Sequence, residues 1–587
     1  MSLEHFQELI RGEIKRLEEL EEPIPSDSRL TRPSATLQDH LILTAGISVA
    51  IVKDLMKRGL SPKDICGEEL DEMGLLKVTE LSGLIHDIGK AYGDYKLHVE
   101  HGVNWLMERA RECALKDPVF SMIEGIIKRH HIRDEPATPL EMAVCLSDSY
   151  ASAGDRPELF EGEQAYRANL ELEKKLLGDR KAISLLMGDV DSIKGYVYES
   201  DTLSDIRGGS AILVDTEGRI NEFFRSRLSE ENLIYCGGGS FLALAPSSEA
   251  DKIAEEIRHL YLELSHGIAT ITVAVSKPLG YMEFARGLPS HEEEVKGLKG
   301  TGVAEWLIKS HFGKYDRLAA KCFGEVVAKL SSELRILKES KSSAPFFPAL
   351  PIQWRCQACG KRPASIEDPL KEEKICEQCW HKRDKGRKER KSKLVIEFED
   401  WCVRHQQKVP RWELPENLDE IGERVGFIYA DGNNIGNLLQ RASTPAQYRH
   451  ISKILTMGTR ESLLEALANV CATTAQAKMP FEIVSIGGDD VVVIARSDLA
   501  WPIALRFLEN FEKEGSRLSV ELKEKITASA SVLIADVKYP VKFMERLANS
   551  LLKDAKRTSR ICEGESAITF LNLTASIAPP ETSTIIE

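Results

Sequence analysis

The segment IVSIGGDDVVVIA sets Gly487, Gly488, Asp489 and Asp490 between two apolar β-runs, so a tight hairpin tip is expected there. Glycines at such a tip let backbone N–H groups approach a polyphosphate closely. Asp431 ends its own apolar run, GFIYAD. On a neighbouring strand at the same sheet edge it would join Asp489 and Asp490 in an oxygen-rich site for Mg²⁺ or Mn²⁺. Ions held in that way activate a 3′-hydroxyl and stabilise pyrophosphate leaving an α-phosphate. Lys556, in LLKDAKR, is placed to meet phosphates. Taken alone, GGDD suits a polar turn without function as well as it suits catalysis. Asp431 and Lys556 make catalysis the better reading.

A second group lies in the first third of the chain: His40, His86-Asp87, His98, His130-His131 and Asp148. Imidazoles and carboxylates suit divalent transition metals, and ionisable groups inside apolar helices are costly unless paired or metal-bound. The doublet in LSGLIHDIGK is expected on adjacent helix positions, with Lys90 available to a substrate phosphate. Of His98 and His101, the former is the preferred ligand. His5 and His101 are read as ordinary satisfied histidines. The order H, HD, H, HH, D closely resembles the HD phosphohydrolase superfamily. That resemblance implies one or two bound metals that activate water against a phosphoester, with His86 and Asp87 at the centre.

Four cysteines form the third group. Cys356-x-x-Cys359 and Cys376-x-x-Cys379 are separated by 16 residues, the spacing of a tetrahedral Zn²⁺ ribbon with a structural role. The run that follows holds Lys382, Arg383, Lys385, Arg387, Lys388, Arg390, Lys391 and Lys393 against Asp384 and Glu389. Such a run is a solvated face or a contact for nucleic-acid backbone.

The elements that must position these groups follow from texture. Up to about Leu177 apolar residues recur at three- and four-residue spacing, which predicts helices. From Ala182 short apolar runs alternate with charged helical stretches, as they do again after Val425. From Gly300 to Ser340 the chain reads as helical. Gly188-Asp189-Val190-Asp191-Ser192-Ile193 can be laid on Ala430-Asp431-Gly432-Asn433-Asn434-Ile435. Tyr235-Cys236-Gly237-Gly238-Gly239-Ser240 can be laid on Ser485-Ile486-Gly487-Gly488-Asp489-Asp490. The intervals from Asp189 to Gly237 and from Asp431 to Gly487 are 48 and 56 residues. A duplicated unit packed as a pseudo-dimer is expected, its first copy degenerate because its hairpin reads GGGS. Arg207, in SDIRGGS of that copy, is expected either to bind a second nucleotide or to be a plain surface arginine.

Length and composition agree with this plan. A chain of 587 residues, 42% hydrophobic and 29% charged, is an ordinary globular protein of several domains. A net charge of −14 excludes a wholly basic nucleic-acid coat. The apolar stretch from Leu41 to Val52 is too short and too broken to span a bilayer. The start MSLEHFQELI lacks the basic and apolar regions of a signal peptide. With its scattered cysteines outside the quartet, the chain is expected in a reducing cytoplasm.

Taken together, HDIGK, GDVDSIKGYVY with IRGGS, the cysteine quartet, and YADGNNIG with IGGDD resemble the Cas-ten family, the large polymerase/cyclase subunit of type III CRISPR effector complexes. The resemblance runs from about His40 to Leu571. It implies a multidomain α+β fold: a helical HD domain (1–178), a degenerate ferredoxin-like palm with a helical extension (179–345), a zinc ribbon and basic segment (346–395) and a catalytic GGDD palm (396–587). It further implies cyclic oligoadenylate made from ATP, and single-stranded DNA cleaved at the HD site. Both activities would be switched on by target RNA bound through a guide-RNA complex with other effector subunits. Asp431, Asp489, Asp490, His86 and Asp87 would be catalytic, and Gly487, Gly488, Lys556 and Arg207 would bind nucleotide. Family members usually continue into a C-terminal helical domain. Here the sequence stops at LTASIAPPETSTIIE, a departure that bears on docking. Two rivals are a GGDEF/HD-type cyclic-dinucleotide synthase and phosphodiesterase, and a non-catalytic scaffold of an RNA-guided complex. Against the first stand GGDDV in place of GG(D/E)EF, and IRDEPATPL, which lacks a GYP element.

Overall fold

The computed structural model describes residues 2–574 apart from 21, 27–34, 114–117, 132–137, 154–159, 268, 289–321, 341–347, 390 and 523. Arg390, most of IRDEPATPL, the 300–321 part of the stretch read as helical, and the tail beyond 574 lie outside the described residues. Among the described residues, no helix is long and apolar enough to cross a membrane.

The N-terminal third is helical: α1 (Ser2–Glu18), α2 (Leu37–Lys57), α3 (Pro62–Cys66), α4 (Glu72–Ile85), α5 (His98–Cys113), α6 (Val119–Arg129), α7 (Pro139–Ala151) and α8 (Phe160–Leu177). Every residue of α2 from Leu37 to Leu55 is buried, so this helix is the axle of the bundle, with α4 and α7 packed on it. A helix enclosed on all sides has no reason to carry a polar stripe. Thr36 caps α2 by accepting a hydrogen bond from the Asp39 amide, and Thr138 with Pro139 starts α7.

Two mixed layers follow. The first sheet contains β1 (Ile183–Asp191), β2 (Leu233–Gly237), β3 (Ser240–Pro246) and β4 (Thr270–Val275) in the order β2-β3-β1-β4. The short α9 (Ile193–Val197) and then α10 (Leu203–Arg227) connect β1 to β2. Helix α11 (Ala250–Leu264) connects β3 to β4, and α12 (Tyr281–Arg286) and α13 (Cys322–Ser340) come after. Past a small cysteine-rich unit with β5 (Ile366–Asp368), β6 (Glu373–Ile375), α14 (Glu377–Lys388) and α15 (Lys393–Arg404), the pattern repeats. In the second sheet, β7 (Arg424–Gly432), β8 (Phe481–Ile486), β9 (Asp490–Arg496) and β10 (Ala528–Asp536) have the same mutual order. β11 (Ala567–Asn572) adds parallel to β10. The connecting helices are α16 (Ile435–Leu439), α17 (Pro445–Cys471), α18 (Ser497–Leu522) and α19 (Val541–Ile561). Each copy is therefore βαββαβ with antiparallel neighbours, the ferredoxin-like topology.

The duplication extends to individual bonds. Ser192 and Asn434 follow β1 and β7 with the same left-handed φ, 55° and 60°. Asp191 accepts hydrogen bonds from Thr270 and Thr272 of β4 at 2.8 and 2.6 Å. At the matching place, Asn433 bonds Thr527 and Ser529 at 2.9 and 2.8 Å. Lys338 of α13 reaches Asp189 Oδ2 at 2.5 Å, as Lys556 of α19 reaches Asp431 Oδ2 at 2.5 Å.

The copies are interleaved. Helix α10 of the first lies on β8 of the second, where Arg207 holds Glu482 in a buried two-pronged ion pair (2.9 and 2.5 Å) and Ser210 bonds the Val484 carbonyl. Helix α17 of the second lies on β2 of the first, where Arg449 donates to the Leu233 carbonyl at 3.0 Å. The same helix grips the N-terminal bundle: Asp39, buried on α2, sits 3.3 Å from Arg449 Nε and 3.1 Å from His450 Nδ1. Arg207 is thus buried and committed to Glu482, not a plain surface arginine. Burying a guanidinium is tolerable only with a carboxylate in reach, and here the pair joins the two copies.

Part of the basic run also turns inward. Helix α14 packs so tightly on α10 that a Cβ at Gly208 would lie 1.8 Å from the Lys382 carbonyl oxygen, and one at Gly386 would lie 1.9 Å from that of Ser204. Arg383 is fully buried between Asp205, Asp368 and Glu373 at 2.6–3.0 Å, and Arg387 also binds Asp368. Lys382 donates to the Tyr196 carbonyl at 2.7 Å, while Lys385 and Lys393 both pair with Asp215. Acid on neighbouring elements absorbs much of the positive charge, so Lys382, Arg383 and Arg387 fasten the ribbon unit, while Lys388, Lys391 and Lys393 stay largely exposed. Gly208→Ala is expected to force α14 off α10 and open 377–393 to trypsin. Peptide mapping of variant and parent after limited digestion checks this; equal resistance would remove the packing argument.

Candidate active sites

The second sheet brings the GGDD carboxylates together. Asp431 is the penultimate residue of β7, and Asp490 opens β9 directly opposite it in register. The Gly432 amide donates to the Asp489 carbonyl at 3.0 Å, and the Gly487 amide to that of Asp490 at 2.7 Å, which closes the tip. Lys556 Nζ donates to Asp431 Oδ2 and to the Gly432 carbonyl at 2.9 Å. Thr459 of α17 holds the Gly488 carbonyl at 3.0 Å. Burial, then repulsion from Asp431 and Asp490, lifts the Asp489 carboxyl well above its ordinary range. Burial and Asp431 push Asp490 up to about 6. Three acids so close resist simultaneous ionisation. A divalent cation removes that conflict, so the donor set fits Mg²⁺ or Mn²⁺ held by Asp431, Asp489 and Asp490.

The equivalent edge of the first copy lacks this charge. Ser240 stands opposite Asp189, where Asp490 stands opposite Asp431, and Gly239 takes the place of Asp489. Its amide bonds Glu217 of α10 at 2.9 Å. The two tips touch: a Cβ at Gly238 would lie 3.1 Å from Gly487 Cα.

In the helical bundle, α4 ends at Ile85, so His86 and Asp87 are not on adjacent helix positions as the sequence suggests. Asp87 has φ −115° and ψ 12°, in the turn that leads to a 3₁₀ segment, Ile88–Ala91. Leaving the helix lets both side chains enter one buried pocket. His40 comes from the first turn of α2, His98 from the start of α5, His130 and His131 from just past α6, and Asp148 from α7. Two ligand groups result, His40, His86, Asp87 and Asp148 in one, and Asp87, His98, His130 and His131 in the other. Asp87 belongs to both.

The outer ring nitrogens settle the orientation of the inner ones. Nδ1 of His86, His98 and His130 donates to the carbonyls of Gly83, Tyr95 and Ile127 at 2.7–2.8 Å. Each Nε2 then faces inward, where His130 Nε2 donates to Asp87 Oδ1 at 3.1 Å and a bound metal would take the lone pair instead. His98 Nε2 faces His131 Nε2 at 3.0 Å, and the buried Nε2 atoms of His40 and His86 lack a well-formed hydrogen bond. The close Nε2 pair and the unsatisfied buried nitrogens fit bound cations. Asp87 lies 3.1 and 3.3 Å from His130 and His98 Nε2, and Asp148 lies 3.1 Å from His40 Nε2. Against the cost of burial, Lys90 and the histidines hold Asp87 well below the usual carboxylate range, and His40 and His86 do the same for Asp148. Lys90 is itself buried, bound to Asp87 and to the Ser26 carbonyl, so its ammonium braces the pocket. His101 is outside both groups.

Cys356, Cys359, Cys376 and Cys379 converge within 4.8 Å, with the Arg362 guanidinium 3.3 Å from the Cys376 sulfur. Four converging thiols with a neighbouring cation fit a metal held as thiolates. Sequence reasoning missed Lys194 of α9. It crosses from the first copy to bond the Tyr429 hydroxyl on β7 and lies 3.9 Å from Glu545 of α19. Its signal was a lysine in DSIKGY where the matching place in the second copy holds Gly436.

A family model described as Cas10/Cmr2, second palm domain, matches residues 424–561, and one described as HD domain matches residues 39–153. No curated protein matches. Among solved structures, Csm1 in T. onnurineus aligns over 89% of this chain and 82% of its own, at 14% identity and a TM-score of 0.50. A Csm1–Csm4 cassette in complex with cA4 aligns over 90% and 83% at 14% identity, with a TM-score of 0.43. A cassette in complex with AMPPNP aligns over 89% and 83% at 15% identity, with a TM-score of 0.40. The first of these shows a shared fold. Residues 424–561 thus match the second palm domain of the Cas10/Cmr2 family and residues 39–153 an HD domain, and the chain shares the Csm1 fold over nearly its whole length.

Proposed function

We propose that this chain is the large enzymatic subunit of a type III CRISPR effector complex. It condenses ATP into cyclic oligoadenylate at Asp431, Asp489 and Asp490, and cleaves single-stranded DNA at the pocket around His86 and Asp87. Target RNA, paired with guide RNA on companion subunits, switches both on. The observation that carries the reading is the register of Asp431 against Asp490, with Lys556 beside them, in a palm matched by the Cas10/Cmr2 family model.

When bound, Mg²⁺ or Mn²⁺ supplies charge neutralisation for the phosphates and eases loss of the proton from an attacking hydroxyl. The three aspartates hold it at the sheet edge. Gly487 and Gly488 let the Asp490 carboxylate and the Tyr235 hydroxyl close on the tip, and Lys556 sets the Asp431 carboxylate. In the bundle, His40, His86, Asp87 and Asp148, and Asp87, His98, His130 and His131, would hold transition-metal ions that activate water against a phosphoester. The four cysteines hold Zn²⁺ as a structural clip. The domain division stays at 1–178, 179–345, 346–395 and 396–587, and the protein works in the cytoplasm. A GGDEF/HD-type cyclic-dinucleotide enzyme has no use for the second palm or the cysteine unit. A scaffold has no use for carboxylates crowded against their own repulsion.

ATP with Mn²⁺, guide and target RNA should yield cyclic oligoadenylate by chromatography and mass spectrometry. Asp489→Ala with Asp490→Ala should lower that yield by at least about 10²-fold, the scale of losing an electrostatic stabiliser, while complex assembly persists; cyclic di-GMP as the product would overturn the reading. His86→Ala or Asp87→Ala should abolish metal-dependent single-stranded DNA cleavage in a gel assay and leave nucleotide condensation in place. Elemental analysis should find one Zn²⁺ per chain that survives mild chelation, and Cys376→Ser should lose it together with thermal stability.

A further inference from the structure

The joint between the helical bundle and the first copy holds an acid without a counter-charge of its own. Glu231 lies in the 3₁₀ turn Glu230–Asn232, just before β2. Its backbone is pressed on α2: a Cβ at Gly46 would lie 2.2 Å from the Glu231 carbonyl oxygen, and Asn232 Nδ2 donates to the Gly46 carbonyl at 2.8 Å. Only 5% of Glu231 is exposed, and its Oε2 has no hydrogen-bond partner among the described residues. Beside it α1, α2, α4, β2 and α17 surround a cavity of about 470 Å³ that Glu231 helps to line.

The charges around it are committed elsewhere. Arg11 of α1 lies 3.3 Å from Glu80 of α4 and 3.5 Å from Glu230. Glu80 also accepts from Gln7 at 3.1 Å, and Arg225 of α10 donates twice to Glu230, at 2.9 and 2.5 Å. Glu18 pairs with Lys453 at 2.5 Å, Arg449 lies 3.3 Å from Asp39, and Lys15 is a largely exposed neighbour of Glu19. On β2, burial pushes Cys236 up to about 12 and raises Tyr235 as well, so both stay neutral. The adjoining β3, SFLALAP, has no titratable side chain. Three carboxyls thus share Arg11 and Arg225, and a buried carboxyl left over keeps its proton. Burial, then Glu80 and Glu230, push Glu231 up to about 8. Burial lifts Glu80 too, against the pull of Arg11 and Gln7. When the joint opens, water reaches Glu231 and its pKa returns to the ordinary value of about 4.3. The packed joint therefore binds the proton more tightly than the open one. Its stability is full below about pH 4, falls as pH rises toward about 8, and is constant beyond.

We propose that this joint is a proton-dependent latch: it holds the helical bundle on the first copy while Glu231 is a neutral acid, and loosens when Glu231 ionises beside Glu80 and Glu230. Its position gives the latch reach toward both candidate sites. From Glu231 the chain runs through β2 to the Gly237–Gly239 tip, which touches Gly487, and the helix pressed on Glu231, α2, carries His40. The latch requires neither proposed activity and stands or falls apart from them.

The test follows amide hydrogen exchange of the full chain by mass spectrometry, in peptides covering α1 and residues 229–237. Glu231→Gln keeps the shape of the side chain and cannot ionise, and comparison at equal pH cancels the intrinsic pH dependence of exchange. The ratio of wild-type to Glu231→Gln exchange should rise at least about tenfold between about pH 6 and about pH 8, then level off. A glutamate with a merely structural role gives a ratio that does not move with pH; that result, or a ratio that falls, would overturn the inference. If Glu231→Gln does not fold, Glu80→Gln replaces it, because it removes a repulsion that raises Glu231 and leaves Glu231 titratable. The ratio of wild-type to Glu80→Gln exchange should then be at least about threefold larger near pH 8 than near pH 6. A constant ratio in that comparison would equally remove the latch.

Discussion

Like charges at one sheet edge are the constraint on which the C-terminal half of this molecule depends. Asp431, Asp489 and Asp490 are drawn together by strand register, and register is indifferent to their repulsion. Hydrogen bonds along β7 and β9, the closed glycine tip and the Thr459 clasp keep the tip from springing open. Lysines from two different helices stand by as counter-charges. The apolar faces of both sheets and the interleaved α10 and α17 provide the rigidity behind this arrangement.

The bundle meets the same difficulty by another route. Its carboxylates are fewer, and imidazoles surround them. Backbone carbonyls fix the outer ring nitrogens, so the inner ones cannot turn away. Ending α4 before His86 is what lets a histidine and an aspartate that are neighbours in sequence point into one cavity. Strict helix geometry would have aimed them about 100° apart.

Much of this was legible in the sequence. Two βα units, the shared tip at GGDD and GGGS, and the pairing of Asp189 with Asp431 follow from apolar runs and spacing, because strand period and turn chemistry are local. The quartet of cysteines was legible for the same reason. What escaped was whatever depended on contacts between distant segments. Arg207 finds Glu482 at a separation of 275 residues, and nothing within SDIRGGS announces a carboxylate on another sheet. The basic run looked open because its acidic partners, Asp205, Asp215 and Asp368, lie on other elements. Lys194 was passed over because its importance comes from which copy it leans toward.

Asp39 and His40 are consecutive residues in the first turn of α2. One is clasped by Arg449 and His450 of the second copy, and the other lines the buried imidazole pocket. The N-terminal bundle is therefore not a detachable cassette. Cut away from α17, it would keep its histidines but lose the anchor that sets the pitch and depth of the helix carrying the first of them.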